Sequence, residues 1–147
     1  MTKFTFDTSF IISNKLSVVP DNFLYSDIVL LELIRGAKDE TNFKKHLAAR
    51  EQVLKDNLLI IPNSDDWLMA GKVLYWIEQG KKKANQGNAP KKRPGETRKM
   101  VMDALIAISA RRYNTTVVTD NLSDFAAIKY YCDFKLISGA DFLEKYG

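Results

Sequence analysis

Thr115-Thr116-Val117-Val118-Thr119-Asp120-Asn121-Leu122-Ser123-Asp124-Phe125 decides how this chain reads. Its first five residues are all β-branched, a composition that suits a buried, pleated strand. The run stops at Asp120-Asn121, and Phe125 to Tyr131 then suits a short helix. The N-terminus repeats the pattern. Lys3-Phe4-Thr5-Phe6 alternates polar and aromatic residues, meets Asp7-Thr8-Ser9, and gives way to Phe10-Ile11-Ile12, which predicts a helix capped by Thr8 or Ser9. A strand that ends at an acid and turns into a helix is the unit from which parallel α/β sheets are built.

Between these two units the same alternation continues. Pro20-Asp21-Asn22 is a turn signal, and Leu24 to Leu33 reads as an extended entry running into a helix that stops near Gly36. Phe43, Leu47 and Leu54 recur at helical spacing. Leu58 to Ile61, closed by Pro62, reads as a short buried strand. Ser64-Asp65-Asp66 opens a helix with Trp67, Ala70, Val73, Leu74 and Ile77 as its apolar stripe. Gly80 to Gly95 contains no large apolar residue and includes Pro90 and Pro94, so the reading there is a mobile basic loop over about 80–97. A mostly apolar helix spans Lys99 to Arg112, a last short strand falls at Lys135 to Ile137, and a final helix at Ala140 to Tyr146. The expectation is one α/β domain over 1–147, with a central, mainly parallel sheet flanked by helices.

Composition narrows the function classes. One cysteine, Cys132, and one histidine, His46, exclude both an intrachain disulfide and a Cys/His zinc shell. Cys132 reads as a small buried hydrophobe, His46 as a helix-surface residue, and Trp67, Trp76, Tyr130 and Tyr131 as packing or interface residues. The longest apolar run, Ile28 to Leu31, is too short to span a bilayer, and no signal peptide precedes Asp7. The expected location is the cytoplasm, with no membrane partner. Charge is unevenly spread. Lys81, Lys82, Lys83, Lys91, Lys92, Arg93, Arg98 and Lys99 face only Glu96 in their segment, which is therefore +7 and leaves −3 on the rest of a chain of net +4. An acidic body with one basic segment points to a polyanion, held by sequence-blind phosphate contacts.

The acids carry the chemistry. Ligand sites in parallel sheets lie beyond the carboxyl ends of the strands, where Asp7 and Asp120 fall. Glu32 and Asp103 sit inside apolar stretches, and an acid is almost never fully buried unless something pairs with it. Two carboxylates about 4 Å apart repel by roughly 4 kcal/mol at an effective dielectric of 20. Three such pairs would cost about 12 kcal/mol, against a total domain stability of roughly 5–15 kcal/mol. A cluster of this kind must protonate, spread apart or bind a cation, and carboxylate oxygens suit Mg²⁺ or Mn²⁺. A phosphoacceptor receiver would want an acidic pair at Asp7, which Thr8-Ser9 replaces. A haloacid-dehalogenase-like phosphatase would want Asp where Ser9 stands.

Phe6-Asp7-Thr8-Ser9, Glu32-Leu33-Ile34-Arg35-Gly36, Asp103-Ala104-Leu105-Ile106-Ala107 and Val118 to Phe125 resemble, in order, the successive motifs of PIN-domain proteins, most closely the VapC-type toxin ribonucleases of toxin–antitoxin modules. The resemblance spans nearly the whole chain. It implies a three-layer PIN-like fold and a Mg²⁺- or Mn²⁺-dependent ribonuclease in which Asp7, Glu32 and Asp103 are the principal acids. The fourth position falls on Asp124, Asn121 or Asp120, with Asp124 and Asn121 ranked first. Thr8, Ser9 and Thr119 are the supporting hydroxyls. The resemblance further implies hydrolysis to 5′-phosphate and 3′-hydroxyl ends, a small antitoxin partner and a homodimer. The basic segment departs from the short connection of compact family members. Two alternatives stand beside the toxin: a PIN-fold nuclease of RNA processing or decay, and a non-catalytic nucleic-acid-binding module.

Overall fold

The computed structural model describes residues 2–13 and 21–146. Pro20 of the expected turn lies outside the described residues, while Asp21 and Asn22 do form a turn. The elements are β1 (Lys3–Phe6), α1 (Thr8–Ser13), β2 (Tyr25–Ser26), α2 (Asp27–Arg35), α3 (Glu40–Lys55), β3 (Leu59–Ile60), α4 (Ser64–Ala84), α5 (Glu96–Arg112), β4 (Thr115–Thr119), α6 (Leu122–Tyr131), β5 (Leu136–Ser138) and α7 (Gly139–Tyr146).

Among the described residues all strand pairings are parallel. One sheet runs β1-β4-β5 and a second pairs β2 with β3. A parallel bridge between Phe4 and Phe23 joins them at β1, so the strands read β3-β2-β1-β4-β5 across the molecule. The chain order reverses between β1 and β4. That switch point is where an open α/β sheet leaves a crevice at its carboxyl edge.

β4 is buried along its whole length, as a central strand covered on both faces must be. Its alternating side chains separate two cores. Val117 joins the larger one with α2, α4, α5 and α6, while Val118 joins Phe4, Phe6, Phe10, Phe23 and Phe142 on the side of α1 and α7. The fold is therefore the expected three-layer α/β sandwich. At its centre α5 is buried without interruption from Asp103 to Ala110, with Ala104, Ala107 and Ala110 letting neighbouring elements approach closely.

Three expectations need correction. The basic loop is shorter than 80–97: Gly80 to Ala84 complete the last turn of α4, and Glu96 and Thr97 already belong to α5. Lysine and alanine are strong helix formers, and three lysines at a helix C-terminus favour its negative end, which outweighs one glycine. The buried stripe of α4 is Asp66, Ala70, Val73 and Ile77, and Trp67 is 55% exposed. Asp66 takes the inward place because it closes a capping box with Asn63 and pairs with Arg112 Nε at 3.0 Å. Finally, the cap of α1 is Asp7, whose Oδ1 accepts from the Phe10 amide at 3.0 Å, in place of Thr8 or Ser9.

Candidate active site

Parallel pairing of Phe6 with Val118 carries Asp7 to the carboxyl end of β4, where its amide donates to the Val118 carbonyl at 3.1 Å. Its carboxylate is buried and tied on both oxygens. Oδ2 accepts from Thr119 Oγ1 at 2.6 Å and from Ser9 Oγ at 2.9 Å, while Oδ1 accepts the capping amide. Burial pushes the Asp7 carboxyl above its ordinary value. The bonds from Thr119, Phe10 and Ser9 pull it back in part, and the charge of Asp120 adds to the rise. Thr119 in turn accepts the Asn121 amide at 2.9 Å, so one hydroxyl links the ends of β1 and β4.

Glu32, half-buried on α2, accepts from Thr8 Oγ1 at 2.9 Å. Thr8, Ser9 and Thr119 thus each donate a hydrogen bond to one of these acids. Asp103 comes from the buried stretch of α5. Its Oδ2 is out of contact with water and accepts no hydrogen bond. Burial pushes its carboxyl up to about 7; Lys99 lowers it, and Asp7, Asp124 and Glu32 raise it further. Four acids, one from the β1–α1 junction and three from α2, α5 and α6, therefore share one electrostatic environment.

Asp124, in the first turn of α6, accepts from Asn121 Nδ2 at 2.7 Å and from Lys99 Nζ at 2.8 Å. Burial raises its carboxyl, but the Lys99 and Asn121 bonds and the charge of Lys81 outweigh this and hold it below the ordinary range. Asp120 is exposed and lies against Gly139. A Cβ at Gly139 would collide with Asp120 and with the Phe10 ring, so the glycine is what lets these two groups approach the start of α7.

The expected cluster has answered its own repulsion in two ways at once. Among the described residues, no three His, Cys, Asp or Glu side chains are gathered closely enough to share a single metal ion. The acids stand apart, and a lysine sits between two of them. The donor set nevertheless fits a hard divalent cation: every candidate ligand is an oxygen, and one buried carboxylate oxygen, Asp103 Oδ2, accepts no hydrogen bond.

The basic segment separates into groups. A cavity of about 550 Å³ is lined by Lys81, Arg93 and Lys99 together with Asp103, Ser123 and Asp124. Lys91 and Lys92 border a neighbouring crevice with Pro90 and Met100, and Lys92 is drawn to Glu78 at 3.5 Å. Lys82, Lys83 and Arg98 line neither. The part of Lys99 within the acidic site escaped the sequence reading, although its spacing of one helical turn from Asp103 was a usable signal.

No protein-family model matches the sequence, and no curated protein matches it. Solved structures do. The chain matches the DNA-bound VapBC from Salmonella typhimurium with a TM-score of 0.56 at 22% identity, over 95% of this chain and 99% of that one. It matches VapBC-1 from nontypeable Haemophilus influenzae with a TM-score of 0.55 at 22% identity, again over 95% and 99%. A VapBC-family toxin–antitoxin member from Mycobacterium tuberculosis gives 0.55 at 21% identity, over 94% and 99%. At these identities the likeness is one of fold, and the PIN-like fold implied by the four motifs is the fold of this chain. Among the described residues no helix is long and apolar enough to cross a membrane.

Proposed function

We propose that this chain is a metal-dependent endoribonuclease and the VapC-like toxin of a toxin–antitoxin pair. The observation that carries the reading is Asp103: a buried carboxylate with one oxygen free of hydrogen bonds, lining the cavity that Lys81, Arg93 and Lys99 also line. A buried acid whose oxygen accepts no hydrogen bond costs stability, so its presence beside cations at a sheet's carboxyl edge calls for a ligand that offsets the cost.

Asp7, Glu32 and Asp103, with Asp124 or Asn121 beside them, would hold Mg²⁺ or Mn²⁺. Such a cation supplies neutralisation of the scissile phosphate and activation of the attacking water. The chain's own groups do the rest. Thr119 and Ser9 fix Asp7, and Thr8 fixes Glu32, so both acids are oriented before substrate arrives. Asp103, whose Oδ2 accepts no hydrogen bond, would orient the attacking water or take its proton. Lys81 and Arg93, which line the same cavity as Asp103, would receive phosphates of the RNA strand. The substrate and the free Cys132 thiol fit a cytoplasmic protein. A small antitoxin and a second copy of the chain are the partners this reading expects.

The test is incubation of purified protein with mixed cellular RNA in Mg²⁺, in Mn²⁺ and in EDTA, beside an Asp7→Asn/Asp103→Asn double variant. Cutting that needs metal and vanishes in the variant is the expected result. RNA bound but uncut under every condition would favour a binding module. Growth arrest on expression, relieved by a neighbouring open reading frame, separates a toxin from a nuclease of RNA processing.

A further inference from the structure

Lys99 stands one turn before Asp103 on α5 and reaches across to α6. Its Nζ lies 2.8 Å from Asp124 Oδ2 and 3.7 Å from Asp103 Oδ2, the buried oxygen that accepts no hydrogen bond. The lysine side chain is 54% exposed, against 11% for that of Asp103, so the cation has open solvent to move into while the acid does not. An ammonium on a flexible four-carbon stem is a compact point charge that can approach carboxylates and leave again.

We infer that Lys99 is a resident counter-cation of the acidic site, holding Asp103 and Asp124 in the absence of metal and competing with a divalent cation for them. The inference rests on reading these acids as a cation site. The geometry explains why the carboxylates are not gathered: with the ammonium between two of them, the cluster is partly neutralised without closing on one point. A divalent cation entering beside Asp103 meets Lys99 as a like charge, and binding must displace it. Coupling is reciprocal, so a cation that weakens metal binding is itself loosened by the metal. Once displaced, the ammonium remains on the cavity wall that Lys81 and Arg93 share. Metal entry would then release a cation toward the phosphate side of the site.

The experiment is calorimetric titration of Mn²⁺ into the intact chain without RNA, for the wild type and for Lys99→Gln, Lys99→Met, Lys99→Arg and Lys83→Gln. Lys83→Gln removes the same charge from a position that lines neither cavity. The expected result is Mn²⁺ binding tightened on the order of tenfold in Lys99→Gln and Lys99→Met, within the usual range of coupling between two sites. Lys99→Arg should bind like the wild type, and so should Lys83→Gln. Unchanged or weaker binding in the two neutral variants overturns the inference while leaving the metal site intact. Absence of Mn²⁺ binding in every protein removes the metal reading, and this inference with it.

Discussion

The acid end of the sheet, where Asp7 stands, and the basic side of the cavity lined by Asp103 and Asp124 are built by opposite means. Asp7 is buried, receives three hydrogen bonds and is anchored by backbone pairing to β4. Lys81 and Arg93 are exposed, on the last turn of α4 and on the connection to α5. Groups fixed at low exposure can do chemistry, because their orientation is settled in advance and their charges are weakly screened. Groups at high exposure can gather a polyanion from a distance, but they are screened within roughly 8 Å at physiological salt. On the proposed function, chemistry would therefore belong to one region and capture to the other.

The largest effect that would break this division lies at Asp103. Asp103→Asn should lower the cleavage rate at saturating RNA by about 10²–10⁴-fold, the range for a positioned acid–base group. The same change should stabilise the metal-free protein. The Asp103 carboxyl rises from its ordinary 3.8 to about 7, so the folded state binds more protons than the unfolded one between those values. Stability therefore falls as pH rises through that window, by up to roughly 4 kcal/mol at 1.36 kcal/mol per unit. Urea midpoints at pH 5 and pH 8 check it: the wild type should lose more on going to pH 8 than Asp103→Asn does. Equal losses would show that burial does not strain this acid.

Next in size is the close approach at Gly139. Gly139→Ala should cost about 1–3 kcal/mol in a thermal melt, because its methyl meets Asp120 and the Phe10 ring. On the capture side, Lys81→Gln with Arg93→Gln should weaken RNA binding about tenfold. Its logarithmic salt slope should flatten by roughly 1.4, or about 0.7 for each single-strand phosphate that is no longer neutralised. Fluorescence anisotropy at several salt concentrations reads both. Lys82→Gln with Lys83→Gln should change affinity less than about threefold in the same assay, since neither residue lines the cavity. Equal weakening in the two pairs would mean that net charge, and not the cavity wall, gathers the strand.

Sequence carried the acid end further than the basic wall, for a physical reason. Strand ends are marked by a polar–aromatic alternation that stops at Asp7 and a β-branched run that stops at Asp120, and the buried acid Asp103 stands out against Val101-Met102 and Ala104-Leu105. Those signals are local. The fate of Lys81 to Ala84 was decided by helix continuation past the last buried residue of α4, Ile77, which a count of apolar residues does not register. The inward turn of Asp66 depended on Arg112, 46 positions away, and the position of Lys99 depended on Asp124, 25 away. Strand order was equally invisible, because it is a property of pairing and not of any one strand.

Single-turnover cleavage of a short RNA, run with Mg²⁺ from subsaturating to saturating protein, tests the division most directly. Lys81→Gln with Arg93→Gln should recover the wild-type rate at saturation, while Asp103→Asn should stay slow at every concentration. An Asp103→Asn rate that recovers at saturation, or a Lys81/Arg93 variant that never does, would contradict the separation of chemistry from capture.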